Sequence, residues 1–155
     1  MEMINSGGFA WTKMPGQAIC KALIEAQRKA QAVGKSSVNS FARYKYASAE
    51  ALLEEGREAL NTAGLALMAC AYEYVVRDMG DRDKGQPASG EMVVEYLLIH
   101  ESGECAQFRA ATAVIAEKGR PLDKAQATAL TYSAGYVTRG LLMLPRVAES
   151  EEVDQ

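Results

Sequence analysis

The sequence is short of several things, and each shortage removes a class of function. It has one histidine, His100, so no centre built on two or more histidines can form, and a mixed metal site would have to rest on that single ring. His100 also stands where an apolar run meets a turn, a poor place for the base of a Ser-His-Asp or Cys-His site. The three cysteines, Cys20, Cys70 and Cys105, are odd in number and far apart, with no CxxC pair. They are expected to be buried, reduced thiols of a cytoplasmic protein. No apolar run approaches the roughly 20 residues that span a membrane. The opening MEMINSGGFAWTKMPGQ has no basic start followed by an apolar stretch, so no signal peptide is expected.

Phosphate-binding motifs are missing too. There is no GxGxxG, and Lys118-Gly119-Arg120 falls far short of a P-loop, which needs several spaced glycines and a Lys-Ser/Thr pair. The acidic pairs Glu54-Glu55 and Asp81/Asp83 fall on a helix surface and in a polar loop, with no apolar stretch beside them to shift a pKa. Nothing supplies an activated nucleophile or a metal-bound water. Neither an enzyme nor a cofactor is expected.

What is present is one domain's worth of chain. Its 155 residues, 48% of them hydrophobic, can bury a sizeable core. The formal net charge of −3 hides an uneven distribution. Residues 12–49 hold Lys13, Lys21, Arg28, Lys29, Lys35, Arg43 and Lys45 against Glu25 alone, a balance of +6. Residues 104–148 hold six basic side chains against Glu104, Glu117 and Asp123, a balance of +3. Between them, residues 50–103 carry −7, and the last seven residues carry −4.

Periodicity divides the chain into elements. Over 16–33, Ile19, Leu23, Ala26, Ala30 and Val33 form one helical stripe, and Gly34 supplies a stop. KSSVNSFARYKYAS follows with no stripe. Ser48 is a suitable N-cap for a helix over 49–63 with Leu52, Leu53, Leu60 and Ala63 inward, ending at Gly64. Leu65–Val76 reads as a strand, followed by a polar loop to Gly90. Strands over 91–100 and 104–115 joined by Glu101-Ser102-Gly103 form a hairpin. EKGRPLD is a second basic loop, with Asp123 as the cap of a last helix over 124–144. The order predicts an α+β fold: an antiparallel sheet of about three to four strands with helices packed on it. The expected domain limits are an N-terminal extension over 1–15, one domain over 16–146 and an acidic tail over 147–155.

Two aromatic-basic groupings carry the functional reading. In Phe41-Ala42-Arg43-Tyr44-Lys45-Tyr46, extended spacing puts Tyr44 and Tyr46 on one side and Arg43 and Lys45 on the other. Aromatic faces stack on any base while cations hold phosphates, which suits sequence-tolerant binding of single strands. On the last helix, Tyr132 and Tyr136 are four apart and Arg139 three further on, so the three share a face. The same rings would serve equally as cover for the core, and spacing alone leaves both readings open.

YKYAS, the Ala63-Gly64-Leu65 step, Ser102-Gly103-Glu104, Gln126 and Thr131-Tyr132, in this order and spacing, resemble the Erf family of phage and prophage recombination proteins. The resemblance runs over roughly residues 17–144. It implies binding of single-stranded DNA and ATP-independent annealing of complementary strands during phage homologous recombination. It further implies a ring or filament of identical subunits in the host cytoplasm, no nucleotide cofactor, and a fold related to the eukaryotic annealing mediators. A phage exonuclease or a host single-strand-binding protein would be its protein partner.

The DNA contacts expected are Lys35, Arg43, Tyr44, Lys45 and Tyr46 in the first grouping. In the second basic loop and last helix they are Lys118, Arg120, Lys124, Tyr132, Tyr136 and Arg139. One departure stands out. The family helix usually runs from Thr-Tyr into an Ala-Arg-Arg-Tyr-like sequence, whereas this one reads Ser133-Ala134-Gly135-Tyr136. The missing pair of cations keeps a second reading alive, a nucleic-acid- or protein-binding module of the same fold that has lost annealing.

Overall fold

The computed structural model describes residues 9–30, 37–39, 44–46 and 49–144, with side chains described over 9–30 and 49–144. Its elements are β1 (Phe9–Lys13), α1 (Gln17–Lys29), β2 (Ser37–Asn39), β3 (Tyr44–Tyr46), α2 (Ala49–Thr62), β4 (Leu65–Asp78), β5 (Ser89–His100), β6 (Cys105–Ile115) and α3 (Leu122–Leu142). The main sheet is antiparallel with order β1-β6-β5-β4, and β2-β3 is a separate two-stranded pair. This is the expected α+β architecture. The fourth strand comes from 9–13, inside the stretch that the sequence reading treats as an N-terminal extension. The acidic tail lies outside the described residues.

Alternation along β5 decides where the helices go. Met92, Val94, Tyr96 and Leu98 are buried, and they face Ala125, Ala129, Val137 and Leu141 of α3 at one end and Ile19, Ala26, Leu52 and Leu60 of α1 and α2 at the other. A strand puts every second side chain on the same face, so all three helices share one face of the sheet. The other face carries Val93, Glu95 and Leu97 of β5, with Arg109 of β6 in an ion pair to Glu95 at 3.9 Å. An aromatic row of half-buried Trp11 and buried Phe108 and Tyr96, with centroid separations of 5.1 and 5.2 Å, joins β1, β6 and β5 on the helix side.

Two glycines make the turns that set this register. Gly103 has φ +90°, which a Cβ would disfavour, and its N–H donates to the His100 carbonyl at 2.9 Å to close the β5–β6 hairpin. Gly64 has φ +82° directly after α2, and its carbonyl accepts from the Glu101 N–H at 3.0 Å. The hairpin tip is thereby fastened to the α2–β4 joint.

Several local expectations change. Helix α1 stops at Lys29, before Gly34, because Ala30 already has extended ψ of 135°. Leu53 is 36% exposed; the inward stripe of α2 is Leu52, Gly56, Ala59 and Leu60. Asp123 lies inside the first turn of α3, and Pro121 is the N-cap, with no side-chain cap bond. Cys20 and Cys70 are exposed and Cys105 half-buried, all as free thiols, so the cysteines do not form part of the core. Ser48 lies outside the described residues.

Candidate nucleic-acid interface

Helix α3 is long because its inner face meets the sheet along its whole length. Ala125, Ala129, Ser133, Val137 and Leu141 are buried at helical spacing, and small residues early in the row let the helix lie close to β6. Ser133 shares a buried 2.8 Å hydrogen bond with the Tyr96 hydroxyl of β5, so the polar group on this face is satisfied. On the far side Gly135 is buried against Ala49 and Leu52 of α2, and Thr138 against Gly56.

With those faces occupied, the remaining side of the helix meets solvent, where Asp123, Ala127 and Thr131 are exposed beside a second row. Lys124, Thr128, Tyr132 and Tyr136 follow one another at four-residue spacing; Lys124 and both tyrosines are exposed and Thr128 is half-buried. Tyr132 is 41% and Tyr136 63% exposed, with ring centroids 6.2 Å apart and planes tilted by 50°. Both rings therefore project outward rather than covering the core. Arg139, in the last turn of the helix, is half-buried. Phe9 of β1 extends the exposed aromatic surface: it is 43% exposed and sits beside Gly140. Sequence reasoning missed Phe9, because the alternation Phe9-Ala10-Trp11 is too short to mark a strand by itself.

The loop before α3 brings the cations in. Glu117 and Arg120 exchange backbone hydrogen bonds at 3.0 Å each, which folds the loop back and leaves Lys118 exposed near its tip. The Arg120 guanidinium pairs with the Glu117 carboxylate at 3.3 Å, while its Nε is buried without a partner among the described residues. Arg120, Ile115, Thr128 and Tyr132 line a cavity of about 160 Å³ between the loop, β6 and α3. Residues from the basic loop and from the helix thus meet at one place.

The first grouping is only partly visible. Tyr44, Lys45 and Tyr46 form β3, paired with Asn39, Val38 and Ser37 respectively, which agrees with an extended segment. Their side chains, and Lys35 and Arg43 entirely, lie outside the described residues. His100 is occupied in the hairpin, where its Nδ1 lies 2.9 Å from the Ser102 hydroxyl. Among the described residues no group of three or more His, Cys, Asp or Glu is placed to hold a metal ion, and no helix is long and apolar enough to cross a membrane.

A family model described as the ERF superfamily matches residues 19–155. The chain belongs to the ERF superfamily. No curated protein matches it. Membership points to single-strand annealing in phage recombination as the functional class of this ERF protein. It also sets the departure on α3 in context. Position 135 of this ERF chain faces α2 rather than solvent, and a Cβ there would already lie 3.3 Å from that of Ala49. A long cation at 135 would need a different α2–α3 contact.

Proposed function

We propose that the protein binds single-stranded DNA along α3 and the 117–120 loop and, as an oligomer, anneals complementary strands without ATP or metal. The observation that carries this is the row of exposed Lys124, Tyr132 and Tyr136 on α3, flanked by Lys118, Arg120 and Arg139, in a chain of the ERF superfamily. Tyrosine faces accept bases of any identity, and the cations hold phosphates. We assign the described DNA contacts to Lys118, Arg120, Lys124, Tyr132, Tyr136 and Arg139, and keep Lys35, Arg43, Tyr44, Lys45 and Tyr46 as contacts on the β2–β3 side.

A site of this size holds only a short piece of strand, so binding by one copy is weak and salt-sensitive. Repetition of the site along one strand replaces single-site affinity by avidity. Strands held by backbone and by occasional stacking keep their base edges free to sample register with a complement. Base pairing then drives the reaction, which is why no nucleotide is hydrolysed and no enzyme chemistry is assigned. The setting is the cytoplasm of a bacterial host, with a phage exonuclease or a host single-strand-binding protein as the neighbouring activity.

The test is fluorescence-monitored pairing of two complementary oligonucleotides in EDTA without ATP. Acceleration by the wild-type protein, lost on Tyr132→Ala with Tyr136→Ala, supports the proposal. Two observations favour the second reading, a binding module that no longer anneals: Arg120 is already paired to Glu117, and no cation occupies 134 or 135. Tight binding of single strands with no acceleration of pairing would select that module.

A further inference from the structure

The two outer strands of the sheet differ. β4 has 14 residues and β1 has five, and among the described residues each is hydrogen-bonded to one neighbouring strand only. From Leu65 to Val76, β4 holds a single charged side chain, Glu73, and no proline. Proteins usually blunt an edge of this length with lysine, proline or a covering element, because a bare row of N–H and C=O groups pairs with any strand that arrives. Here β4 presents Met68, Tyr72 and Val76 at 48%, 68% and 49% exposure.

We propose that β4 of one copy pairs with β1 of a second copy, so that the sheet continues from subunit to subunit. Strand polarity fits. β1, β6, β5 and β4 are each antiparallel to the next, so β1 and β4 run in opposite directions. A second copy in the same orientation therefore brings its β1 antiparallel to β4, with its helices on the same side.

The side chains fit by face. Phe9 and Trp11 stand in register with Ala110 and Phe108, on the helix side of the sheet. Tyr72, Tyr74 and Val76 stand in register with Val94, Met92 and Gly90, on that same side. Apolar groups on both edges thus meet on the helix side. Lys13 is in register with Gln107 and Glu73 with Val93, so both project from the opposite face. Antiparallel neighbours of opposite charge stabilise a pair, whereas self-pairing of β4 about its middle would bring Glu73 towards its own copy.

Pairing two different edges is heterologous, and its repetition closes into a ring or runs on as a filament. It also places the tyrosine row near each junction, because Gly140 of α3 lies against Phe9 of β1. This deepens the oligomer in the proposed function and rests on it, but its test reads mass without DNA.

Light scattering and native mass spectrometry of the full chain are the measurements. Wild-type protein is expected to exceed two copies. Tyr72→Lys should bring the mass towards the 16.7 kDa monomer with unchanged circular dichroism, since the side chain is exposed in one copy. Lys13→Glu and Glu73→Lys should each shift the distribution to smaller species, and the two together should restore it. Met79→Lys, at a 79% exposed position beyond the strand, should leave the mass unchanged. A monomeric wild type, an assembly that stops at two, or a mass unmoved by Tyr72→Lys and both reversals would overturn the proposal. Annealing by a protein whose oligomer ignores these variants would keep the function and reject the interface; annealing by dissociated variants would keep the interface and reject avidity.

Discussion

The Glu104 carboxylate, at the end of the β5–β6 turn, accepts a hydrogen bond from the backbone N–H of Ile19 at 2.8 Å, 85 residues away. Helix α1 begins after Gly16, which has no side chain to cap it, and a Cβ at Gly16 would overlap the Glu104 oxygen. The hairpin therefore supplies the cap that the helix lacks, and its negative charge stands at the positive end of the helix dipole. Glu104→Ala should cost about 1 kcal/mol, as the loss of an N-cap does. Gly16→Ala should also destabilise, by displacing the carboxylate. Urea unfolding followed by circular dichroism checks both, and equal midpoints for wild type and Glu104→Ala would contradict the capping role.

The buried Tyr96 phenol gives the protein an alkaline limit. Burial pushes the Tyr96 phenol above its ordinary value of 10.0, and the bond to Ser133 draws it part of the way back. The folded state thus holds the proton more tightly than the unfolded state. Stability from this group is complete below pH 10 and is lost as pH rises from there through the folded value. Tyr96→Phe should flatten that alkaline fall in melting temperature. Near neutral pH it should cost about 1–3 kcal/mol, because the buried Ser133 hydroxyl loses its partner. Adding Ser133→Ala should recover part of the loss.

Helix α2 crosses α3 at glycine. A methyl group at Gly56 would overlap Thr138 Cγ2, so Gly56→Ala should destabilise although alanine favours an isolated helix by about 1 kcal/mol. Thr138→Ser combined with Gly56→Ala should restore stability by removing the methyl in the way. A gain in stability from Gly56→Ala alone would mean that the two helices separate easily.

Single-strand affinity should respond to the exposed row and leave folding unaffected. Tyr132→Ala or Tyr136→Ala should each cost about 1–3 kcal/mol of binding if a base stacks there. Lys118→Ala and Lys124→Ala should weaken all sequences alike and make the salt dependence shallower by about one unit per lost phosphate contact. The same titration on Arg139→Ala decides whether that cation takes part. Fluorescence anisotropy against salt, with melting curves as the folding control, separates these outcomes.

Much of this molecule is set by local pattern. The stripes of α1, α2 and α3, the two-residue alternation of β5 and β6, and the glycine turns at 64 and 103 follow from side-chain period and from the freedom of glycine at positive φ. The tyrosines at 132 and 136 were placed on one helix face by their spacing alone. That spacing could not say which way the face pointed, since a helix period reports which residues are neighbours and not what covers them. Tertiary packing decided it: Gly135 and Thr138 turn one side of α3 to α2, Ser133 and Val137 turn another to the sheet, and the tyrosines lie on the side that is left. The strand at Phe9–Lys13 was lost in the sequence because five residues with a bulge carry too little pattern to register. It exists because β6 offers it an edge. The cap at Glu104 was invisible for the same reason, for only the folded chain brings a hairpin tip and a helix start, 85 residues apart, to within a hydrogen bond.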